Sequence, residues 1–170
     1  GQLIEKLDKE GYLTRYGYTV QGDVNHIQYA DGREVRLSYN PLRQLQQIED
    51  WLGITRIEMN AVGRTVKITG ADNREISYTY DAAGRRTAVT YPNSTKAEYR
   101  YDEIGRLAAL IQDGKAIKYG YDEKGSLNRK TFPNGMETTY SYTVKGQIES
   151  LTHCDGEGIL DRYTYGYDII

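Results

Sequence analysis

The sequence predicts an all-β protein, a repetitive antiparallel meander of β-hairpins forming a long, curved or spiralling single-layer sheet. Three observations carry that expectation. The pattern Tyr-x-Tyr-Asp-x-x-Gly recurs about every 21 residues. Asp-Gly and Asn-Gly dipeptides, the strongest short hairpin signals, stand between the copies. The composition also suits a thin sheet: 17 of 170 residues are Tyr and 18 are Gly, against one Phe, one Trp and three Pro. A Tyr hydroxyl needs water or a partner, so aromatic mass held almost wholly as Tyr favours shallow packing over a thick core.

The copies are clearest at Tyr78-Thr79-Tyr80-Asp81-Ala82-Ala83-Gly84, Tyr99-Arg100-Tyr101-Asp102-Glu103-Ile104-Gly105 and Tyr119-Gly120-Tyr121-Asp122-Glu123-Lys124-Gly125. Weaker copies start at Tyr16, Leu37, Ile57 and Tyr140, and a truncated one at Tyr165. Starts at 16, 37, 57, 78, 99, 119, 140 and 165 give intervals of 21, 20, 21, 21, 20, 21 and 25 residues. Residues 1–15, with Ile4, Leu7, Asp8, Gly11 and Tyr12, read as the tail of a preceding unit. Residues 1–170 are thus expected to be one fragment of a longer array.

Each position has a physical job. The first and third residues share a strand face: Tyr16 and Tyr18, Leu37 and Tyr39, Ile57 and Met59, Tyr78 and Tyr80, Tyr99 and Tyr101, Tyr119 and Tyr121, Tyr140 and Tyr142, Tyr165 and Tyr167. The fourth is Asp81, Asp102, Asp122 or Asp168, replaced elsewhere by Thr19, Asn40, Asn60 and Thr143. These short polar side chains bond the backbone of a following turn. The seventh is Gly22, Gly63, Gly84, Gly105, Gly125 or Gly146, which fits a left-handed turn position. Arg43 breaks that pattern, after Pro41. Apolar residues follow two and five positions past the turn residue, as in Val24 and Ile27, Leu45 and Ile48, Leu107 and Leu110, Ile148 and Leu151. Second turns at Asp31-Gly32, Asp72-Asn73, Asn93-Ser94, Asp113-Gly114 and Asn134-Gly135 close the units. The helix-like stretch 42–52 keeps the repeat's register and is expected to be strand. An array of about fifteen strands exceeds the roughly ten that an open twisted sheet holds before it curls or splits, so a curved wall is expected. Its end strands are open edges that invite an edge-strand dimer.

Composition excludes several classes. With 22 Lys+Arg against 24 Asp+Glu the net charge is −2, without the basic excess of a nucleic-acid binder. No apolar run approaches the roughly 18 residues of a membrane helix, and no signal peptide opens the sequence. Cys154 is the only cysteine, too few for a disulfide or a structural zinc site.

Little points to catalysis. His26 and His153 are the only histidines and read as loop or surface residues, and Cys154 as a loop thiol in the longest spacer. Acid–base work needs one special carboxylate pair, whereas the motif aspartates recur in every unit. They are expected to cap turns rather than bind calcium, since one Asp per unit lacks the ligand density of such sites. No catalytic, metal-binding or cofactor-binding residue is assigned. Arg64, Arg85 and Arg106, just past the turn glycine, are expected over Tyr rings or beside acids. The Tyr rows could stack on sugars, which keeps a carbohydrate-binding array as the alternative to inter-strand packing.

These copies resemble the YD repeat, also called the Rhs repeat, most closely at Tyr78–Arg85, Tyr99–Leu107 and Tyr119–Leu127, with spacers at Pro92-Asn93 and Pro133-Asn134-Gly135. The resemblance covers about Tyr12 to Asp168. It implies a non-enzymatic structural segment of a large secreted or cell-surface protein. In Rhs toxins and insecticidal toxin complexes such repeats form a spiralling β-shell around a C-terminal toxin domain. Wall-associated proteins and teneurins carry related repeats that serve adhesion. The implied partners are neighbouring repeats and an enclosed C-terminal domain, with a glycan or cell-wall ligand under the alternative.

Overall fold

The structure, a computed structural model, describes residues 1–168; the last two positions of the array read from the sequence, 169 and 170, lie outside it. Sixteen strands are present among the described residues, and no helix. They are β1 (Glu5–Leu7), β2 (Leu13–Tyr18), β3 (Val24–Gln28), β4 (Glu34–Tyr39), β5 (Leu45–Asp50), β6 (Gly53–Met59), β7 (Thr65–Thr69), β8 (Glu75–Tyr80), β9 (Arg86–Thr90), β10 (Lys96–Tyr101), β11 (Leu107–Gln112), β12 (Lys115–Tyr121), β13 (Leu127–Thr131), β14 (Glu137–Tyr142), β15 (Ile148–Cys154) and β16 (Ile159–Thr164). The chain forms two compact parts, residues 1–79 with 90–94, and residues 80–89 with those from 95 on. Strand order is chain order, β1 to β8 in the first part and β9 to β16 in the second.

Within the helix-like stretch 42–52, residues 45–50 form strand, as the register predicts, flanked by turns at 42–43 and 51–52: β5 pairs with β4 and β6. Periodicity of glutamines and leucines there loses to the turn at Asn40 and to cross-strand pairing of Leu37 with Ile48.

Each motif turn is built the same way. The N–H of the seventh residue bonds the carbonyl of the fourth, as Gly105 does to Asp102 at 3.0 Å, and the fourth N–H bonds the eighth carbonyl, Asp102 to Arg106 at 2.9 Å. That is a three-residue hairpin whose last residue is left-handed. Gly22, Gly63, Gly84, Gly105, Gly125 and Gly146 have φ between 78° and 91°. Arg43 takes the same position at φ 62°.

A second irregularity recurs in every fully paired repeat. Tyr18 pairs Val24 while Gly17 pairs His26, so Asn25 bulges out. The same skip leaves out Gln46, Val66, Ala108, Asn128 and Glu149. Two residues three apart, such as Val24 and Ile27, would face opposite sides of a regular strand. The bulge returns both to the face of Tyr16 and Tyr18.

In the first part that face carries Tyr16 opposite Ile27, Ile27 opposite Val35, Leu37 opposite Ile48, and Ile68 between Ile57 and Ile76. The other face is charged: Arg36 opposes Glu49, and Lys67 reaches Glu58 at 2.7 Å and Glu75 at 3.4 Å. In the second part Tyr99 opposes Leu110, Leu110 opposes Ile117, and Tyr140 opposes Leu151. A single layer leaves few positions dry. Among the described residues only small side chains are buried, namely Ala88, Val89, Ala97, Thr138 and Thr152, and no large one is fully enclosed.

His26 and His153 stand in β3 and β15, and Cys154 ends β15. These are strand residues rather than the loop residues expected, because pairing with Arg36, Thr138 and Glu137 carries the strands through them.

Candidate functional site

The side chains with distinctive chemistry converge between successive repeats. Third-position tyrosines reach out of their own hairpin. The hydroxyl of Tyr39 donates to the Val24 carbonyl at 2.7 Å, that of Tyr101 to Arg86 at 2.8 Å, that of Tyr121 to Leu107 at 2.9 Å, and that of Tyr142 to Leu127 at 2.7 Å. Tyr18 does the same to Leu3 at 2.7 Å and Tyr167 to Ile148 at 2.8 Å. The acceptor lies 14 or 15 residues back in the middle four, on the previous repeat, and Val24, Leu107 and Leu127 directly precede that repeat's bulge. Burial raises the Tyr39 phenol above its ordinary pKa of 10.0, with the Asp23 charge adding to it.

The residue after the turn glycine supplies the second link. Asp81 Oδ1 accepts the Arg85 N–H at 2.9 Å and Oδ2 accepts Arg85 Nε at 2.7 Å. The guanidinium then lies 4.7 Å from the Tyr101 ring centre, one repeat further on. Arg106 repeats this with Asp102 at 2.8 Å and 2.7 Å, and with Tyr121 at 4.4 Å. A carboxylate on one side and an aromatic face on the other hold a planar cation well. The turn glycine of the next repeat leaves room for it: a Cβ on Gly105 would stand 3.3 Å from Arg85 Nη1, and one on Gly125 3.9 Å from Arg106 Nη1.

Other repeats reach the same end with different chemistry. Arg43 forks onto Asp23 of the previous repeat at 2.7 Å and 2.8 Å. Asn40 Nδ2 donates to Gln44 Oε1 at 2.8 Å. The fourth residue caps its turn throughout: Asn60 Oδ1 accepts the Val62 and Arg64 N–H groups, Asp122 Oδ1 that of Ser126, and the Thr19 and Thr143 hydroxyls those of Asp23 and Gln147.

First-position residues Tyr16, Tyr99, Tyr119 and Tyr140 lie in the apolar row of their strands. Tyr78 and Tyr80 lie in β8. Lys130 occupies a position in that row where other repeats place Ile, Val or Leu. Its Nζ is 6.0 Å from the Tyr119 ring centre and 5.7 Å from that of Tyr140. Tyr165 and Asp168 follow β16 outside any strand, with the Tyr165 N–H on the Glu149 carbonyl at 3.0 Å.

The histidines and the thiol are engaged separately. His153 Nδ1 lies 2.9 Å from Thr138 Oγ1, and its ring meets the edge of Tyr163. Cys154 Sγ lies 3.8 Å from the Glu137 carbonyl oxygen. Among the described residues no three of His, Cys, Asp and Glu stand together as metal ligands.

Paired guanidinium groups hold the Asp81 and Asp102 carboxyls below the ordinary value of 3.8, the side-chain bond to Arg85 or Arg106 being the largest cause. A depressed folded pKa contributes stability that is complete above 3.8 and is lost as pH falls through the folded value. Urea midpoints measured from pH 2 to pH 7 are therefore expected to hold steady down to about pH 5 and to fall below it. In the Asp81→Asn/Asp102→Asn variant that acid limb flattens, because Asn keeps the turn cap and loses the titration. An equally steep limb in the variant would place the acid sensitivity elsewhere.

The sequence matches the family described as Teneurin YD-shell over residues 1–135 and again over 49–168. No curated protein matches. The crystal structure of TcdB2-TccC3-TEV superposes with a TM-score of 0.80 at 19% identity, covering 97% of this chain and 10% of that one. TcdB2-TccC3 without its hypervariable C-terminal region gives 0.78 at 16% identity over 92% of this chain and 10% of that one. The Photorhabdus luminescens Tc holotoxin pore gives 0.77 at 17% identity over 92% of this chain and 10% of that one. The chain thus spans about a tenth of the length of these solved chains.

Proposed function

The chain belongs to the Teneurin YD-shell family, and from that membership we propose that it is a wall segment of a YD/Rhs-repeat shell enclosing or displaying a C-terminal domain of a larger secreted or cell-surface protein. The wall role carries no catalytic step. One observation supports it most: third-position tyrosines and two of the arginines after the turn glycine are committed to the neighbouring repeat. The hydroxyls of Tyr39, Tyr101, Tyr121 and Tyr142 hold carbonyls of the previous repeat, and Arg85 and Arg106 cover Tyr rings of the next. Arrays of this kind draw their stability from nearest-neighbour contacts. A bulge and a left-handed turn in each fully paired repeat add local twist. The solved TcdB2-TccC3 structures include one lacking a hypervariable C-terminal region, which fits a wall that ends in a separable cargo domain.

The test uses the full-length protein. After limited proteolysis, intact-mass spectrometry is expected to find the repeat region together with an uncut C-terminal piece. Rapid loss of that piece would show an open stalk instead.

One observation favours adhesion to glycans as a second reading. Trp51 is half exposed beside Tyr29, with ring centres 6.1 Å apart. Arg33 lies 4.5 Å over the Trp51 ring, however, and so covers one of its faces. Retention on polysaccharide resin that is lost in Trp51→Ala would support adhesion.

A further inference from the structure

The ladder of position-eight side chains has a gap. Arg85 and Arg106 each occupy a compartment bounded by the motif aspartate of their own repeat and by the third-position Tyr and turn glycine of the next. One repeat further, the corresponding walls are Asp122, Tyr142 and Gly146, and the residue that would fill the space is Ser126. Its N–H still bonds Asp122 Oδ1 at 2.8 Å, so the turn is intact. Its side chain is too short to cross to the next repeat.

Three features follow from the short side chain at that position. A Cβ placed on Gly146 meets nothing within 4 Å, whereas those on Gly105 and Gly125 meet the guanidinium of Arg85 or Arg106. Asp122 makes no ion pair with any described residue, whereas Asp81 and Asp102 each hold an arginine at 2.7 Å. A groove of about 670 Å³ opens there, lined by Asp122, Ser126, Tyr140, Tyr142 and Gly146. Lys124, Lys145 and Glu123 also line it, so two lysines and two carboxylates face the same groove.

We propose that this groove is a guanidinium-binding site, taking the head group of an arginine supplied in trans between the Asp122 carboxylate and the Tyr142 ring. The two filled compartments define the geometry. The ligand's N–H groups meet Asp122 Oδ2 as Arg85 Nε meets Asp81, and its plane lies over Tyr142 as Arg106 lies over Tyr121. A planar donor fork is required, so arginine is favoured over lysine, whose ammonium is a compact, strongly hydrated charge. The site stands whether or not the wall encloses a cargo.

The test is a titration of the chain with arginine amide, with lysine amide, and with an extended Gly-Arg-Gly peptide, followed by backbone amide NMR shifts at residues 122, 126, 142 and 146. Saturable shifts from arginine amide are expected with a dissociation constant on the order of millimolar, the range in which one or two contacts bind a small ligand. Lysine amide is expected to bind about tenfold more weakly, a difference of about 1.4 kcal/mol. A peptide bound more tightly than arginine amide identifies a chain segment as the natural source, and equal binding a free small cation. Ser126→Arg supplies the missing group in cis and is expected to abolish the shifts while raising Tm. Asp122→Asn is expected to weaken binding about tenfold while keeping the fold, because Asn40 and Asn60 cap the same turn. Absence of saturation up to about 100 mM, roughly a hundred times a millimolar dissociation constant, or shifts unchanged in Ser126→Arg, would overturn the site.

Discussion

Replacing Tyr121 by Ala is expected to cost about 2–4 kcal/mol of stability, among the largest single effects available in this chain. Three contributions are lost together. The ring is half-buried in β12, it lies under the Arg106 guanidinium at 4.4 Å, and its hydroxyl holds the Leu107 carbonyl at 2.9 Å. Tyr121→Phe isolates the last of these and is expected to cost about 1 kcal/mol, the usual net value of one hydrogen bond. Tyr163 supplies the control. It stands in β16, is nearly half exposed, and its contacts stay within its own repeat: the hydroxyl bonds Asp161 and the ring meets His153. Denaturant midpoints of Tyr121→Ala and Tyr163→Ala should therefore differ clearly, the first being much lower. Equal losses would mean that the inter-repeat contacts of Tyr121 contribute nothing beyond those of an edge residue.

Gly105→Val is expected to cost about 2–3 kcal/mol, for two separable reasons. The backbone there is left-handed, at φ 89°, and a residue with a Cβ pays roughly 1–2 kcal/mol to stay so, a branched one at the upper end. The new Cβ would also press on Arg85 Nη1 at 3.3 Å and move that guanidinium off Tyr101. Gly146→Val separates the two. Its φ is 78° and its Cβ would meet nothing within 4 Å, so only the backbone part of about 1–2 kcal/mol is expected. Thermal melts of both variants measure the difference. An equal loss at both positions would show that clearance for Arg85 has no weight at Gly105. Arg43, left-handed at φ 62° in the natural chain, shows that the turn forms without glycine where a side chain gains a partner, here Asp23.

Much of this architecture was legible because its causes are local. Strand, turn and strand follow from alternation, from Asx and Thr residues that cap a turn, and from glycine at a left-handed position. All of these act within about five residues of sequence. The helix-like stretch 42–52 was placed as strand by its register alone. The inter-repeat contacts were less legible. That Arg85 and Arg106 would lie over rings or beside acids could be expected from their place after the turn glycine. Which ring each would cover, and that one guanidinium would do both, could not.

What the sequence by itself determined is the alternation of strand and turn, since that depends on near neighbours in the chain. Tertiary structure alone decided the register. The three-residue spacing of Val24 and Ile27, or Leu107 and Leu110, signals a bulge, because such residues reach one strand face only if an extra residue is looped out. That bulge in turn sets which carbonyl, 14 or 15 residues back, stands under the hydroxyls of Tyr39, Tyr121 and Tyr142. His26, His153 and Cys154 fell into strands rather than loops for the same reason. A side chain's own identity says what it can bond, but cross-strand pairing decides what lies within reach.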